Sequence, residues 1–179
     1  MYIRRKLIRR LVEDLLERNG IAEPGVPVAE IAEAEGADVR YQAAEDSLSG
    51  FLLQGPTVPN GVRAIIGVNE DHHPNRQRFS IAHELGHLLL HSVETLHVDR
   101  NEVFRVQRRD EESAKGTNLE EREANAFAAE LLMPESFLMR DLENRQVLDD
   151  DDVEVLAKKY KVSQKALVLR LAKLGYQTE

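Results

Sequence analysis

The sequence predicts an α+β fold in which a small β-sheet packs against a pair of buried helices and a short helical appendage closes the chain. Three observations predict it. β-branched runs cluster between residues 39 and 68, apolar residues recur at helical spacing over 74–91 and 119–133, and the run Asp149-Asp150-Asp151-Asp152 sets off two further short helices. A length of 179 residues, 42% of them hydrophobic and 31% charged, is enough for one sizeable core. The expected division is a domain over residues 1–146 and an appendage over 147–179.

Taken in order, Ile3, Leu7, Leu11 and Leu15 with Ile8, Val12 and Leu16 describe an amphipathic first helix that Asn19-Gly20 stops. Its cations Arg4, Arg5, Lys6, Arg9 and Arg10 stand where the helix dipole disfavours positive charge, and they read as a solvated face. Pro24-Gly25 and Pro27 break the chain before a short second helix at Val28–Ala32 with Glu35-Gly36 as its stop. Strands follow around Val39 and Tyr41, at Gly50–Gln54 and at Val62–Val68, with a hairpin turn near Asn60-Gly61. His72 and His73 read as surface residues before Pro74, which fits the first turn of a helix running through Phe79, Ala82, Leu85, Leu88 and Leu89 to about His91.

Ser92–Asn118 has weak periodicity and many charges, so a long surface loop with a short element at Val103–Val106 is expected. From Leu119 to Met133 the composition favours helix, with Ala124, Phe127, Ala128, Leu131 and Leu132 along one face and Pro134 as terminator. The last two helices, joined through Lys161-Val162-Ser163 with Lys161 where a glycine is usual, resemble a helix-turn-helix.

Composition excludes several chemistries. With no cysteine there is no disulfide, thiol nucleophile or thiolate metal site, so a metal must be held by His, Asp or Glu. The net charge of −8 argues against binding nucleic acid through bulk positive charge, and Asp149–Glu179 balances six acids with six bases, so direct DNA binding is not expected. No apolar run reaches membrane-spanning length, and a soluble cytoplasmic protein is expected.

The strongest signal is His83-Glu84-Leu85-Gly86-His87. Residues four apart share one face of a helix, so both imidazoles can reach one ion while Glu84 reaches a water on it. Gly86 costs helix stability of about 1 kcal/mol relative to Ala, which makes sense where a neighbouring backbone comes close. A catalytic zinc site usually takes a third protein ligand. His91 is a turn too far along and reads as a group satisfied by the last carbonyls of its helix. On the second helix Glu121 and Glu120 flank the apolar face within about 50°, whereas Glu123 points roughly 100° away. Glu121 is preferred, with Glu120 in reserve, because Asn125 lies one turn on and can hydrogen-bond a ligating histidine.

Arg78-Phe79-Ser80-Ile81-Ala82-His83-Glu84-Leu85-Gly86-His87-Leu88-Leu89-Leu90-His91, together with Glu121-Arg122-Glu123-Ala124-Asn125-Ala126-Phe127-Ala128-Ala129-Glu130-Leu131-Leu132-Met133-Pro134, resembles the ImmA/IrrE metallo-endopeptidase family. The likeness covers about a third of the chain closely, and the long charged segment between the motifs departs from it. It implies Zn2+ held by His83, His87 and Glu121, a thermolysin-like (gluzincin) helix pair, and limited proteolysis of a helix-turn-helix repressor that relieves repression of mobile-element or stress-response genes. The reaction so implied is metal-assisted peptide hydrolysis with Glu84 as general base. Tyr41, His97 and Arg105 are candidate oxyanion donors, and nothing in the sequence selects among them. Val62–Val68 is the expected sheet edge for an extended peptide. The rival reading is a non-catalytic sensor or interaction module that binds a repressor or DNA.

Overall fold

The computed structural model describes residues 2–55, 58, 61–91, 96–100, 111–143 and 147–178. The fold is α+β, with seven helices and a mixed four-stranded sheet among the described residues. Helices α1 (Arg5–Arg18) and α2 (Val28–Ala34) precede strands β1 (Ala37–Gln42), β2 (Leu48–Gln54) and β3 (Ala64–Asn69). Helix α3 (Pro74–Leu90) and strand β4 (Leu96–Arg100) lead to α4 (Glu111–Leu132) and α5 (Glu135–Asp141). The chain finishes with β5 (Val147–Leu148), α6 (Asp150–Tyr160), α7 (Gln164–Leu174) and β6 (Gln177–Thr178), β5 and β6 pairing in parallel.

Strand order in the sheet is β1-β3-β2-β4, with β1 parallel to β3 and the other neighbours antiparallel. This corrects the expectation for Val62–Val68. β3 lies between β1 and β2 and is buried along its whole length, so both its edges are already paired and no peptide can add there. The β2–β3 pairing agrees with a hairpin, and Gly61 takes a φ of +96° that suits a turn, although Asn60 lies outside the described residues.

The expected loop over Ser92–Asn118 is also corrected. Leu96–Arg100 forms a strand on β2, and α4 starts at Glu111 rather than Leu119. The element expected at Val103–Val106 lies outside the described residues, as does Arg105.

Side chains from every layer meet in one core, with Ile8, Val12 and Leu15 of α1, Ile31 of α2, Leu52 and Ile66 of the sheet, Leu85 of α3 and Leu131 of α4 all buried. Leu156 and Tyr160 of α6 and Leu167 and Leu171 of α7 join the same cluster. Helix starts follow local chemistry. Pro74 sits in the first turn of α3, whose preceding His73 accepts from Asn75 N–H at 3.1 Å, and Asp149 and Ser163 cap α6 and α7 by accepting from Asp152 and Ala166. Lys161 ends α6 in the left-handed region at φ 53°, the conformation in which glycine is usual.

One surface expectation fails, and another holds only in part, since Arg4 is exposed yet paired. His72 is buried, its Nε2 lying 3.2 Å from both the backbone carbonyl and the carboxylate of Asp46, while neighbouring Asn69 donates to the carbonyls of Glu45 and Leu48. The two side chains together tie the β1–β2 loop to the start of α3. Arg4 precedes α1 rather than lining its solvated face. Its backbone N–H and guanidinium donate to the buried Glu123 carboxylate at 2.6–3.2 Å, and its Nη2 also reaches Leu90 O.

Candidate metal centre

Helices α3 and α4 pack against each other, and the contact is set at Gly86. A Cβ there would stand 3.0 Å from the Phe127 ring and 3.2 Å from Ala124 Cα, so the backbone approach expected of this glycine is real. The close crossing brings Glu121, one turn before Ala124, to the face of α3 that carries His83 and His87. All the imidazole and acid positions of the motif on α3 are buried, with Glu84 fully so.

His83, His87 and Glu121 converge as a possible metal site. The two imidazole Nε2 atoms are 3.1 Å apart, and each lies 3.5 Å from an oxygen of Glu121. A tetrahedral ion about 2.0–2.1 Å from its ligands spaces them about 3.3–3.4 Å apart; the imidazole pair is close to that spacing, and Glu121 meets the two imidazoles through different oxygens, Oε2 toward His83 and Oε1 toward His87, with one donor atom from each residue within 4.8 Å of the others. The donor set fits too, two imidazoles and a carboxylate being borderline-to-hard ligands suited to a divalent ion. Glu121 retains 24% of its side-chain exposure against 2% for each histidine, so the site opens to solvent on the α4 side.

The electrostatics fit these groups to a ligand role. Burial, helped by the neighbouring His97 and His83, pushes His87 down to about 2 and leaves it neutral at physiological pH, as a metal ligand must be. Burial alone would raise Glu121, but hydrogen bonds from His83 and His97 outweigh it and hold the carboxyl well below its usual range.

His97, on β4, completes the cluster. Its Nδ1 lies 3.1 Å from Glu84 Oε2 and its Nε2 2.7 Å from Glu121 Oε1, while its ring stacks on His87 at 3.9 Å. Burial lowers its pKa, yet the two carboxylates more than reverse this and lift it to about 10. Only the short alternation Leu96-His97-Val98 marks it in the sequence, too brief to stand out among the charges around it.

Other candidates lie elsewhere. Tyr41 is on β1, at the sheet edge opposite β4. Glu120 and Asn125 are exposed; the hydrogen bond seen at the site is a different one from that expected of Asn125, made by His97 to the Glu121 carboxylate. Glu123 is buried against Arg4 on the far side of the helix. His91 caps α3 as expected, but its ring faces α4, 3.9 Å from Glu123, rather than the carbonyls of its own helix.

The family model described as Peptidase_M78, IrrE N-terminal-like domain, matches residues 32–172. The chain belongs to this family. Membership in Peptidase_M78 implies a metallopeptidase, in keeping with the His83, His87 and Glu121 cluster. No curated protein matches the chain. Among solved structures, a Mycobacterium tuberculosis transcriptional regulator aligns with a TM-score of 0.60 at 16% identity, over 92% of this chain and 46% of the other. At that identity the likeness shows the fold, and the M78 chain spans a little under half of the regulator. Among the described residues, no helix is long and apolar enough to cross a membrane.

Proposed function

We propose that this M78 chain is a zinc-dependent endopeptidase that cuts a helix-turn-helix repressor, with His83, His87 and Glu121 as metal ligands and Glu84 as general base. The observation that carries the reading is the convergence of two imidazoles and one carboxylate, each with a donor atom within 4.8 Å of the others, on the face shared by α3 and α4. A zinc ion held there would act as a Lewis acid on the scissile carbonyl and make water acidic enough to react near neutral pH. Glu84 then takes a proton from the attacking water and delivers one to the leaving amine. His97 and the two helices exclude bulk solvent from the inner side of the site, which strengthens each electrostatic contact within it.

In this reading α3 and α4 form the thermolysin-like helix pair, and β4, the outer strand on that side of the described sheet, aligns the extended peptide through main-chain hydrogen bonds. Residues 1–146 make up the peptidase part, and the helix-turn-helix-like 147–179 packs and docks the repressor. The exposed Val155 and Leu169 on α6 and α7 support a docking role, and the even charge balance there speaks against DNA contact.

The test is to incubate the purified chain with a repressor encoded beside it, with and without chelator. Specific fragments should appear only with metal present. Glu84→Gln should keep much of the zinc and lose about 10²–10⁴-fold in cleavage rate. If zinc never binds, or no metal-dependent fragments form, the sensor reading replaces this one; metal-dependent cleavage undiminished in Glu84→Gln removes Glu84 as the base.

A further inference from the structure

We propose that His97 is a positioning residue of this centre, holding Glu84 and Glu121 at a fixed separation through one rigid imidazole; this rests on the metal-site reading above. The pairing of β4 puts it there. His97 stands opposite Leu52 of β2, whose side chain is fully buried on the helix side of the sheet, and cross-strand partners share a face. Val98, the next residue, points the other way and is exposed, as a two-residue period requires. The strand therefore delivers one side chain, and only that one of this pair, between the two helices.

What it meets there are two carboxylates of different parentage, Glu84 from α3 and Glu121 from α4. Each glutamate has three side-chain torsions, and a base or ligand that wanders among rotamers loses reach. The imidazole is planar, its ring nitrogens are a fixed distance apart, and its face is braced on His87 at 3.9 Å. Contact with both acids consequently restrains them relative to each other and to a metal-binding imidazole. Glu121 has two oxygens for two tasks. Oε2 lies 3.5 Å from His83 Nε2, while Oε1 lies 3.5 Å from His87 Nε2 and accepts from His97 at 2.7 Å, so the hydrogen bond from His97 fixes how the carboxylate is turned toward the two imidazoles. No ligand bond from His97 itself is needed for this role.

The closing experiment measures zinc affinity by competition with a metal-sensitive dye, alongside the melting temperature of the metal-free chain, for the parent, His83→Ala, His97→Ala and His97→Gln. His83→Ala should lose the zinc. His97→Ala should still bind one zinc per chain but about 10- to 100-fold more weakly. His97→Gln, which keeps a donor able to reach one carboxylate, should recover part of that loss and also covers the case in which the alanine variant does not fold. With a cleavable repressor, His97→Ala should lower kcat with little change in KM, since the displaced group is the base and not a peptide contact. Zinc affinity in His97→Ala equal to the parent's, while His83→Ala loses its zinc, overturns the positioning role. Complete loss of zinc in both histidine-to-glutamine and histidine-to-alanine variants at 97 overturns it as well, making His97 a ligand. If His83→Ala keeps parental zinc binding, the metal site itself is wrong and this role falls with it.

Discussion

Two carboxylates on α4 show how the same side chain serves different ends. Glu130 is buried with a permanent cation, its Oε2 accepting from Arg170 Nη2 at 2.6 Å and its Oε1 from the backbone N–H of Glu135 at 3.1 Å. Arg170 spends its Nε on Met133 O, so the pair is fully engaged and ties α7 to the end of α4. Glu121, further toward the start of the same helix, faces only imidazoles, whose charge depends on pH and on what else they bind. A buried acid with a fixed cation belongs to the scaffold. One surrounded by conditional partners is available for a ligand.

Removing the partners should separate the two most sharply. Arg170→Met leaves Glu130 buried without its cation and should cost about 3–5 kcal/mol of stability, read by thermal or urea denaturation. Glu121→Gln removes the carboxylate that His97 contacts at 2.7 Å, so it should cost the metal-free protein some stability, but less than Arg170→Met does, and it should abolish tight zinc binding. Equal destabilisation by the two substitutions would erase the distinction.

The crossing that brings Glu121 to the imidazoles offers the next test. Gly86→Ala places a methyl against Phe127 and the Ala124 backbone, and overpacking of this kind costs about 1–3 kcal/mol. Calorimetry should show that loss, and zinc affinity should fall with it as α4 is pushed away. A variant with normal affinity would mean that Glu121 can follow the ions without the close helix contact.

Titration sharpens the contrast further. His87 stays neutral in the folded metal-free chain down to about 2, whereas in the unfolded chain it takes up a proton near its ordinary 6.5. The unfolded state then binds more protons, so stability falls as pH drops below 6.5, and the depressed carboxyl of Glu121 adds to the loss below 4.5. His97 acts in the opposite sense. Its raised value, about 10, contributes stability fully below 6.5 that is lost as pH climbs through 10. Denaturation midpoints of the metal-free chain should therefore decline on both sides of neutrality, and His87→Gln should flatten the acid side. The smallest effect belongs to Lys161→Gly, which relieves a left-handed residue at φ 53° and should raise stability by up to about 1 kcal/mol, measured by melting temperature.

The meeting of His83, His87 and Glu121 was legible because helical periodicity is a local property. His83 and His87 fall on one face by spacing alone, and Glu121 could be chosen over Glu123 from its angle to Ala124 and Ala128. Pairings between distant segments leave no such trace. Strand order decides that β3 is internal and β4 external, and no local feature of Val62–Val68 encodes it. The five residues of β4 sit among charges that mask their alternation, which is why His97 could be named but not selected. Helix α4 begins among polar residues and Gly116, whose composition resembles a loop, and tertiary support overrides that weak preference. Arg4 looked like one more solvated cation because its partner, Glu123, is 119 positions away in the chain.

That last contact gives the N-terminal end of the molecule an unexpected importance. Arg4 is anchored by Glu123, two residues beyond Glu121, and its Nη2 also touches Leu90 where α3 ends. Removing the Arg4 side chain would strand a buried anion at the place where the start of α1, the end of α3 and the middle of α4 meet, so this one residue joins three helices that the chain order keeps far apart.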